Sequence, residues 1–117
     1  MRCGIDIINV NCIYKMLRKH RWNFLNSYYS KNELIEMKKR KKFNRKLEYL
    51  AGRFAGKEAI YKATQINFDP REVSILNDCD GKPYIRFDTH ELPKHCISIS
   101  HYKGMVVAFV VIENNEI

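Results

Sequence analysis

The sequence predicts an α+β fold, because the spacing of its apolar residues changes along the chain. A short apolar run rich in isoleucine, residues 3–8, begins the chain and is typical of a buried strand. Apolar residues then recur mostly at helical spacing as far as residue 64, and short or alternating apolar runs follow from residue 73. The predicted order is one strand, three helices and an antiparallel run of about four strands. The N-terminal strand and the helices would pack on the antiparallel sheet.

Side chains that can cap a helix mark the start of the first predicted helix. Asn9 or Asn11 can accept a hydrogen bond from a free backbone N–H, and the apolar spacing continues to about His20. The aromatic-rich segment that follows, residues 22–29, is compatible with either a helix or a strand.

Two further helices are predicted before residue 65. Ser30 followed by Glu33 forms a capping box, which predicts a helix over residues 31–40. A long helix is predicted over residues 45–64, and its inward-facing residues are Leu47, Leu50, Ala51, Phe54 and Tyr61.

The remaining residues predict short strands joined by turns. Strands over 73–76 and 84–87 flank a segment with the Asp, Gly and Pro of a hairpin turn. Residues 96–100 alternate between apolar and small polar residues, and the turn 101–104 joins them to the strongly apolar run 105–112. That last run is predicted to be a central strand. We find no repeat or long linker, so the 117 residues are expected to form one domain, 1–117.

The positive charge is concentrated in the first half of the chain. Residues 1–62 contain 16 Lys and Arg against 5 Asp and Glu, whereas residues 63–117 contain 5 against 8. This asymmetry favours an anionic partner for the first half, although Lys-rich helices can also simply be solvated. No apolar run approaches the ~20 residues of a membrane span, and the N-terminus does not resemble a secretion signal. A cytoplasmic protein with reduced cysteines is therefore expected.

Two isolated acidic residues are the first candidates for chemistry. Asp6 interrupts the apolar run at the N-terminus, and Glu58 lies between Phe54 and Lys62 on one face of the long helix. A carboxylate in an apolar element is costly unless it has a role, and two of them suit a hard metal ion that holds a phosphorylated substrate. The alternatives are a capping role for Asp6 and a surface ion pair between Glu58 and Lys62.

Basic residues recur along the same predicted helix and could bind phosphates. They are Arg45, Arg53, Lys57 and Lys62, for which a solvated helix face is the alternative. Ser100 and His101 are adjacent in a strand and so point to opposite faces, which disfavours a serine nucleophile activated by this histidine. His101 instead suits a phosphate contact.

Four sequence motifs together resemble the holo-[acyl carrier protein] synthase family, the small group of 4′-phosphopantetheinyl transferases. The motifs are G-I-D-I at 4–7, Y-L-A-G-R-F-A-G-K-E-A at 49–59, G-K-P at 81–83 and I-S-I-S-H at 97–101. Residues 30–34 are also similar to the family's L-T-x-x-E-L helix start. These pieces occur in the family order and spacing over nearly the whole chain, and the block 49–59 is the most specific.

The resemblance implies that coenzyme A donates its 4′-phosphopantetheine arm to a serine of apo acyl carrier protein, for fatty acid biosynthesis, with adenosine 3′,5′-bisphosphate as the leaving group. Asp6 and Glu58 would bind Mg²⁺, Lys62 would contact the pyrophosphate, and Glu58 and Lys62 would be the catalytic residues. Further contacts to coenzyme A would come from Arg45, Arg53, Lys57, Gly81, Lys82, Pro83, Ser98, Ser100 and His101. The family forms homotrimers with active sites between subunits.

Acyl carrier protein is strongly acidic, so a basic surface is expected to bind it. The resemblance places that surface on the first helix, at Lys15, Arg18 and Arg21. The alternative function is a small basic nucleic-acid-binding domain, which would explain the charge but not the two isolated acids.

Three positions depart from the family pattern. A single glycine, Gly4, precedes the aspartate where many members have G-x-G-x-D, and Asn9 occupies a position that is commonly acidic. Gly56 replaces the usual alanine, which should weaken the helix by up to ~1 kcal/mol. The group that accepts the serine proton stays open between Glu58, Glu33 and a water at the metal ion, with Glu58 or water favoured.

Overall fold

One strand and four helices make up the first half of the chain in the computed structural model, which describes residues 1–89 and 91–113. The four C-terminal residues of the predicted domain therefore lie outside the described residues. The elements of this half are β1 (Arg2–Asn9), α1 (Val10–His20), α2 (Trp22–Tyr28), α3 (Lys31–Lys39) and α4 (Phe43–Thr64).

The second half contributes four strands after a short 3-10 helix, Pro70–Glu72. The strands are β2 (Val73–Asn77), β3 (Pro83–Phe87), β4 (His95–Tyr102) and β5 (Met105–Ile112). β2 and β3 form an antiparallel hairpin of their own. The other two strands join β1 in an antiparallel sheet of order β1-β5-β4, so β5 is the central strand, as predicted.

The helix boundaries follow from local hydrogen bonds that the sequence indicates. The Asn9 side chain accepts from the Asn11 amide at 2.8 Å, so Asn9 is the cap of α1. Ser30 and Glu33 form the predicted capping box at the start of α3. Gln65 ends α4 in the left-handed conformation, with φ at 58°. The ambiguous segment after α1 becomes the helix α2.

Helix α4 packs against one face of the three-stranded sheet and brings two predicted acids together. A Cβ atom added to Gly4 would stand 2.0 Å from the backbone oxygen of Ala59, so β1 approaches α4 as closely as a glycine permits. Leu50 and Ala51 are buried as predicted. The prediction is wrong at Tyr61, which is 43% exposed, because it lies in the last turn of α4 where its hydroxyl can reach water.

The opposite face of the sheet has no helix against it within the described residues. The prediction of a buried first strand is therefore wrong for this face, since Ile5 and Ile7 are 55% and 63% exposed. Ile5 is paired with Phe109 on β5, which is 42% exposed and extends the same apolar surface. Ser98 on β4 is paired with Phe109 from the other side and is also exposed.

Candidate active site

Asp6 on β1 and Glu58 on α4 are gathered with Lys62 at the contact between the two elements. The Lys62 ammonium donates to Asp6 Oδ1 at 3.1 Å and to the backbone oxygen of Ile5 at 2.9 Å. The ion pair of Lys62 with Asp6 thus joins α4 to β1. The alternative prediction was an ion pair between Lys62 and Glu58 within the helix. The three charged groups belong to one site.

The two carboxylates influence each other electrostatically. Burial raises the pKa of the Glu58 carboxyl above its usual value, the negative charge of Asp6 raises it further, and Lys62 opposes both effects. The influence of Asp6 requires the two acids to lie near each other. Such a pair of carboxylates favours a cation between or beside them.

This donor set fits Mg²⁺ held jointly by the protein and a substrate. Within residues 1–89 and 91–113, no three His, Cys, Asp or Glu side chains form a group that could hold a metal by themselves. Magnesium commonly binds through one or two carboxylates and completes its shell with waters and substrate phosphates. Asp6 and Glu58 supply those two carboxylates, and Lys62 can neutralise an adjacent phosphate.

A second cluster of predicted residues surrounds a basic cavity of ≈ 300 Å³ at the other end of α4. Arg45, Arg53 and His101 all line this cavity, although His101 comes from β4. Glu48 lies between two of them, with its carboxylate 3.5 Å from Arg45 Nη1 and 3.3 Å from His101 Nδ1. The cavity is suited to an anion because its cations outnumber this one acid.

The loop before α4 adds cations that the sequence did not single out as ligands. Arg40, Lys41 and Lys42 line the same cavity as Arg45 and His101. These residues connect α3 to α4, and only the folded structure shows that their side chains line one cavity.

Arg53 combines a structural role with its place in the cavity. Its Nε donates to the backbone oxygen of Ile75 at 3.0 Å, and its Nη2 donates to Asn77 Oδ1 at 3.1 Å. The guanidinium also stacks 4.0 Å from the centre of the Tyr49 ring. Arg53 therefore fastens the β2–β3 hairpin to α4 and has little freedom to follow a ligand.

Lys57 is enclosed in the interior and does not fit the predicted contact to coenzyme A. Its ammonium forms a buried ion pair with Glu33 and also donates to the backbone oxygens of Tyr28 at 2.9 Å and Pro70 at 2.8 Å. These three bonds use all of its hydrogens. The carboxylate of Glu33 is likewise fully buried and accepts from Ser30 N and Ile75 N, which does not suit a base that must meet a substrate.

The other predicted ligands lie apart from these two clusters within one chain. Ser98 and Ser100 are exposed on the sheet face opposite α4, whereas His101 points toward α4, as the strand alternation predicts. Gly81 adopts a positive φ of 84° in the hairpin turn, and Lys82 and Pro83 line a separate cavity of ≈ 250 Å³ beside the start of β4.

The carboxylate pair and the Arg45 end of the basic cavity are widely separated along α4. Arg45 and Glu58 are 13 residues apart. With a rise of 1.5 Å and a turn of 100° per residue, this corresponds to about 20 Å along the helix and about 140° around it. One phosphate group cannot contact both Arg45 and Glu58 of the same chain.

The chain is similar over nearly its whole length to known proteins with one described activity. The family model described as "4'-phosphopantetheinyl transferase superfamily" matches residues 2–110. The chain belongs to this superfamily. It is 40% identical to the "Holo-[acyl-carrier-protein] synthase" of Protochlamydia amoebophila, over 92% of this chain and 93% of the relative.

Solved structures of holo-(acyl-carrier-protein) synthases have the same fold as this chain. A holo-(acyl-carrier-protein) synthase from Bacillus anthracis, solved in complex with CoA (3',5'-ADP), is 37% identical with a TM-score of 0.84, and the match covers 97% of this chain and 96% of that one. The holo-[acyl-carrier-protein] synthase from Neisseria meningitidis is 28% identical with a TM-score of 0.85, over 97% and 98%. The predicted transferase fold is confirmed, and the nucleic-acid-binding alternative is left without support.

In this transferase, α1 presents a third candidate surface. Lys15, Arg18 and Arg21 are all exposed. Arg18 and Arg21 border a mainly apolar cavity of ≈ 340 Å³ that also contains Trp22 and Phe43. A basic edge around apolar side chains suits a protein partner that carries acidic and apolar residues.

Two further features concern the described residues as a whole. None of the described helices combines the length and apolar character needed to cross a membrane. All four cysteines are unpaired and exposed.

Proposed function

We propose that the chain transfers the 4′-phosphopantetheine arm of coenzyme A to a serine of apo acyl carrier protein and releases adenosine 3′,5′-bisphosphate. The observation that carries this proposal is the pair of neighbouring carboxylates with Lys62 at the β1–α4 contact. Both elements lie within the residues that the family model matches. The B. anthracis relative was solved with a coenzyme A-type ligand, which supports coenzyme A as the donor here.

The proposed transfer requires one bond to form and one to break at the same phosphorus. The serine oxygen bonds to the phosphorus that carries pantetheine, and the bond from this phosphorus to the bridging oxygen of the pyrophosphate breaks. The electron pair leaves with the 5′-phosphate of adenosine 3′,5′-bisphosphate, and the serine proton passes to Glu58 or to a water.

Positioning and charge neutralisation account for most of the catalysis in such a reaction. Asp6 and Glu58 would hold Mg²⁺, which when bound neutralises charge on the pyrophosphate. Lys62 is anchored by Asp6 and by the Ile5 carbonyl, so its charge is kept beside the carboxylates. We propose that it contacts the pyrophosphate and stabilises the charge that develops on the leaving phosphate.

The basic cavity would bind another phosphate of coenzyme A through Arg45, His101 and the cations of the preceding loop. The phosphates of coenzyme A are all carried by one ribose, only a few bonds apart. The Arg45 end of the cavity lies about 20 Å along α4 from Glu58 and on another side of the helix, which is too far for one phosphate to contact both. We therefore propose a homotrimer whose active site combines the carboxylate pair of one subunit with the cavity of the next.

The exposed apolar face of the sheet supports this assembly. Ile5, Ile7 and Phe109 lie together on that face and would be covered by a neighbouring subunit. Ser98 and Ser100 lie on the same face, so contact with the neighbouring subunit would bring them to its pocket. Residues 81–83, in the turn of the β2–β3 hairpin, would reach the pocket in the same way.

The acidic carrier protein would bind the basic edge of α1 at Lys15, Arg18 and Arg21. We place the reaction in the cytoplasm, within fatty acid biosynthesis, because the free cysteines suit a reducing compartment.

The direct test is intact-mass spectrometry of apo acyl carrier protein incubated with the chain, coenzyme A and Mg²⁺. The expected result is a gain of one phosphopantetheine mass, which is lost with EDTA and in the Asp6→Ala and Glu58→Ala variants. Lys94→Ala is a matched control that removes an exposed charge outside both clusters and should keep full transfer.

A different outcome would contradict the proposal in an identifiable way. If a folded wild-type chain modifies none of several apo carrier proteins, it is not a transferase for those carriers. Transfer that is undiminished after EDTA treatment would refute the metal role of Asp6 and Glu58 while leaving the activity established.

A further inference from the structure

Tyr28, the last residue of α2, lies beside the proposed reaction centre and has no role in the chemistry described above. Its ring stacks on Phe54 with centroids 4.5 Å apart and an angle of 22° between the planes. Its hydroxyl donates to the backbone oxygen of Phe54 at 3.4 Å. In an α-helix that oxygen is also the acceptor for the amide of Glu58, four residues later. The hydroxyl therefore lies on the face of α4 that bears Glu58.

The position of Tyr28 is held from two sides. Its backbone oxygen accepts from the buried ammonium of Lys57 at 2.9 Å, and Lys57 is in turn paired with Glu33. The stack on Phe54 sets the direction of the ring. A side chain held in this way can present its hydroxyl with little loss of conformational entropy.

The hydroxyl itself is only weakly engaged. At 3.4 Å its bond is longer than the 2.5–3.0 Å typical of O–H···O hydrogen bonds. It can therefore turn to a stronger acceptor, such as an anionic phosphate oxygen. A phenol is protonated at neutral pH. Burial raises the pKa of Tyr28 further, and so do the negative charges of Glu58 and Asp6, which also places these acids near the hydroxyl.

We propose that the Tyr28 hydroxyl donates a hydrogen bond to a non-bridging phosphate oxygen of coenzyme A at the Asp6–Glu58 pair. This inference rests on the proposed function. The bonds that form and break are those of the transfer described above, and Tyr28 keeps its proton throughout. Its dipole stabilises the charge that builds up on the phosphate oxygens in the transition state.

The neighbouring Tyr29 provides a matched control within the same chain. Its hydroxyl donates to the backbone oxygen of Leu50 at 2.8 Å in a fully buried setting, which is a structural hydrogen bond. Tyr29→Phe should therefore lower the Tm and leave kcat unchanged. Tyr28→Phe removes the other hydroxyl while keeping the aromatic stack on Phe54.

The experiment measures kcat, KM for coenzyme A and Tm for the wild type, Tyr28→Phe and Tyr29→Phe with apo acyl carrier protein. Loss of one donor to a developing charge should lower kcat of Tyr28→Phe by at least about tenfold. Its KM should change by less than about threefold and its Tm should stay at the wild-type value, because the bond is made mainly in the transition state.

The possible results separate the inference from the proposed function. If Tyr28→Phe keeps the wild-type kcat, the proposed role of the hydroxyl is overturned. The role is also overturned if kcat of Tyr28→Phe falls and its Tm falls by as much as that of Tyr29→Phe. A wild-type chain without transfer activity instead refutes the proposed function, and this inference falls with it.

Discussion

Two inactive variants of the chain should restore each other's activity if the active site lies between subunits. One variant, Glu58→Ala, lacks the carboxylate pair and keeps the basic cavity. The other, Arg45→Ala with His101→Ala, lacks the cavity cations and keeps the carboxylates. Mixed oligomers would contain sites in which the carboxylates come from the second variant and the cavity from the first.

The size of the effect follows from the geometry of α4. Since Arg45 and Glu58 of one chain are separated by about 20 Å along α4, we expect each site to draw on two chains. With equal amounts and random assembly in a closed ring, about one quarter of the interfaces combine an intact pair with an intact cavity. The mixture should therefore recover about one quarter of the wild-type rate per site, while each variant alone stays nearly inactive.

The assay is the initial rate of carrier-protein modification by intact mass, after the two variants are unfolded together in urea and refolded. Asp6→Ala mixed with Glu58→Ala is the matched control, because both acids of a site belong to one chain and no mixing can restore the pair. No recovery in verified mixed oligomers, or full activity in a monomeric wild-type chain, would refute the reasoning.

Three other variants test separate parts of the fold and site. Lys57→Met should lower the free energy of unfolding by about 3–5 kcal/mol in urea titrations, because Glu33 is left buried without its partner; a loss below ~1 kcal/mol would show that the pair is dispensable. Gly4→Ala should lower both Tm and transfer activity, since its Cβ would stand 2.0 Å from a carbonyl oxygen of α4; an unchanged Tm would contradict this packing. Replacing both Arg18 and Arg21 with Glu should raise KM for the carrier protein and weaken the dependence of this KM on salt. KM for coenzyme A should stay unchanged. Equal changes in both constants would refute a carrier-specific surface.

Local patterns in the sequence predicted most of the secondary structure. The caps at Asn9 and Ser30 depend on hydrogen bonds within one turn, so nearby residues are enough to indicate them. The alternation in β4 likewise places Ser100 and His101 on opposite faces by strand geometry alone. The helix α2 stayed ambiguous because aromatic residues suit both helices and strands when they are buried.

The sequence by itself determined the α+β order of elements and the two acids worth testing, because both follow from local spacing and from the cost of a carboxylate in an apolar run. Only the tertiary structure decided which cations are free to meet a ligand. Lys57 and Lys62 are five residues apart on one helix, yet the first is enclosed with Glu33 and the second reaches Asp6. Their environments depend on contacts with residues 24 and 56 positions away, and no local pattern encodes such contacts.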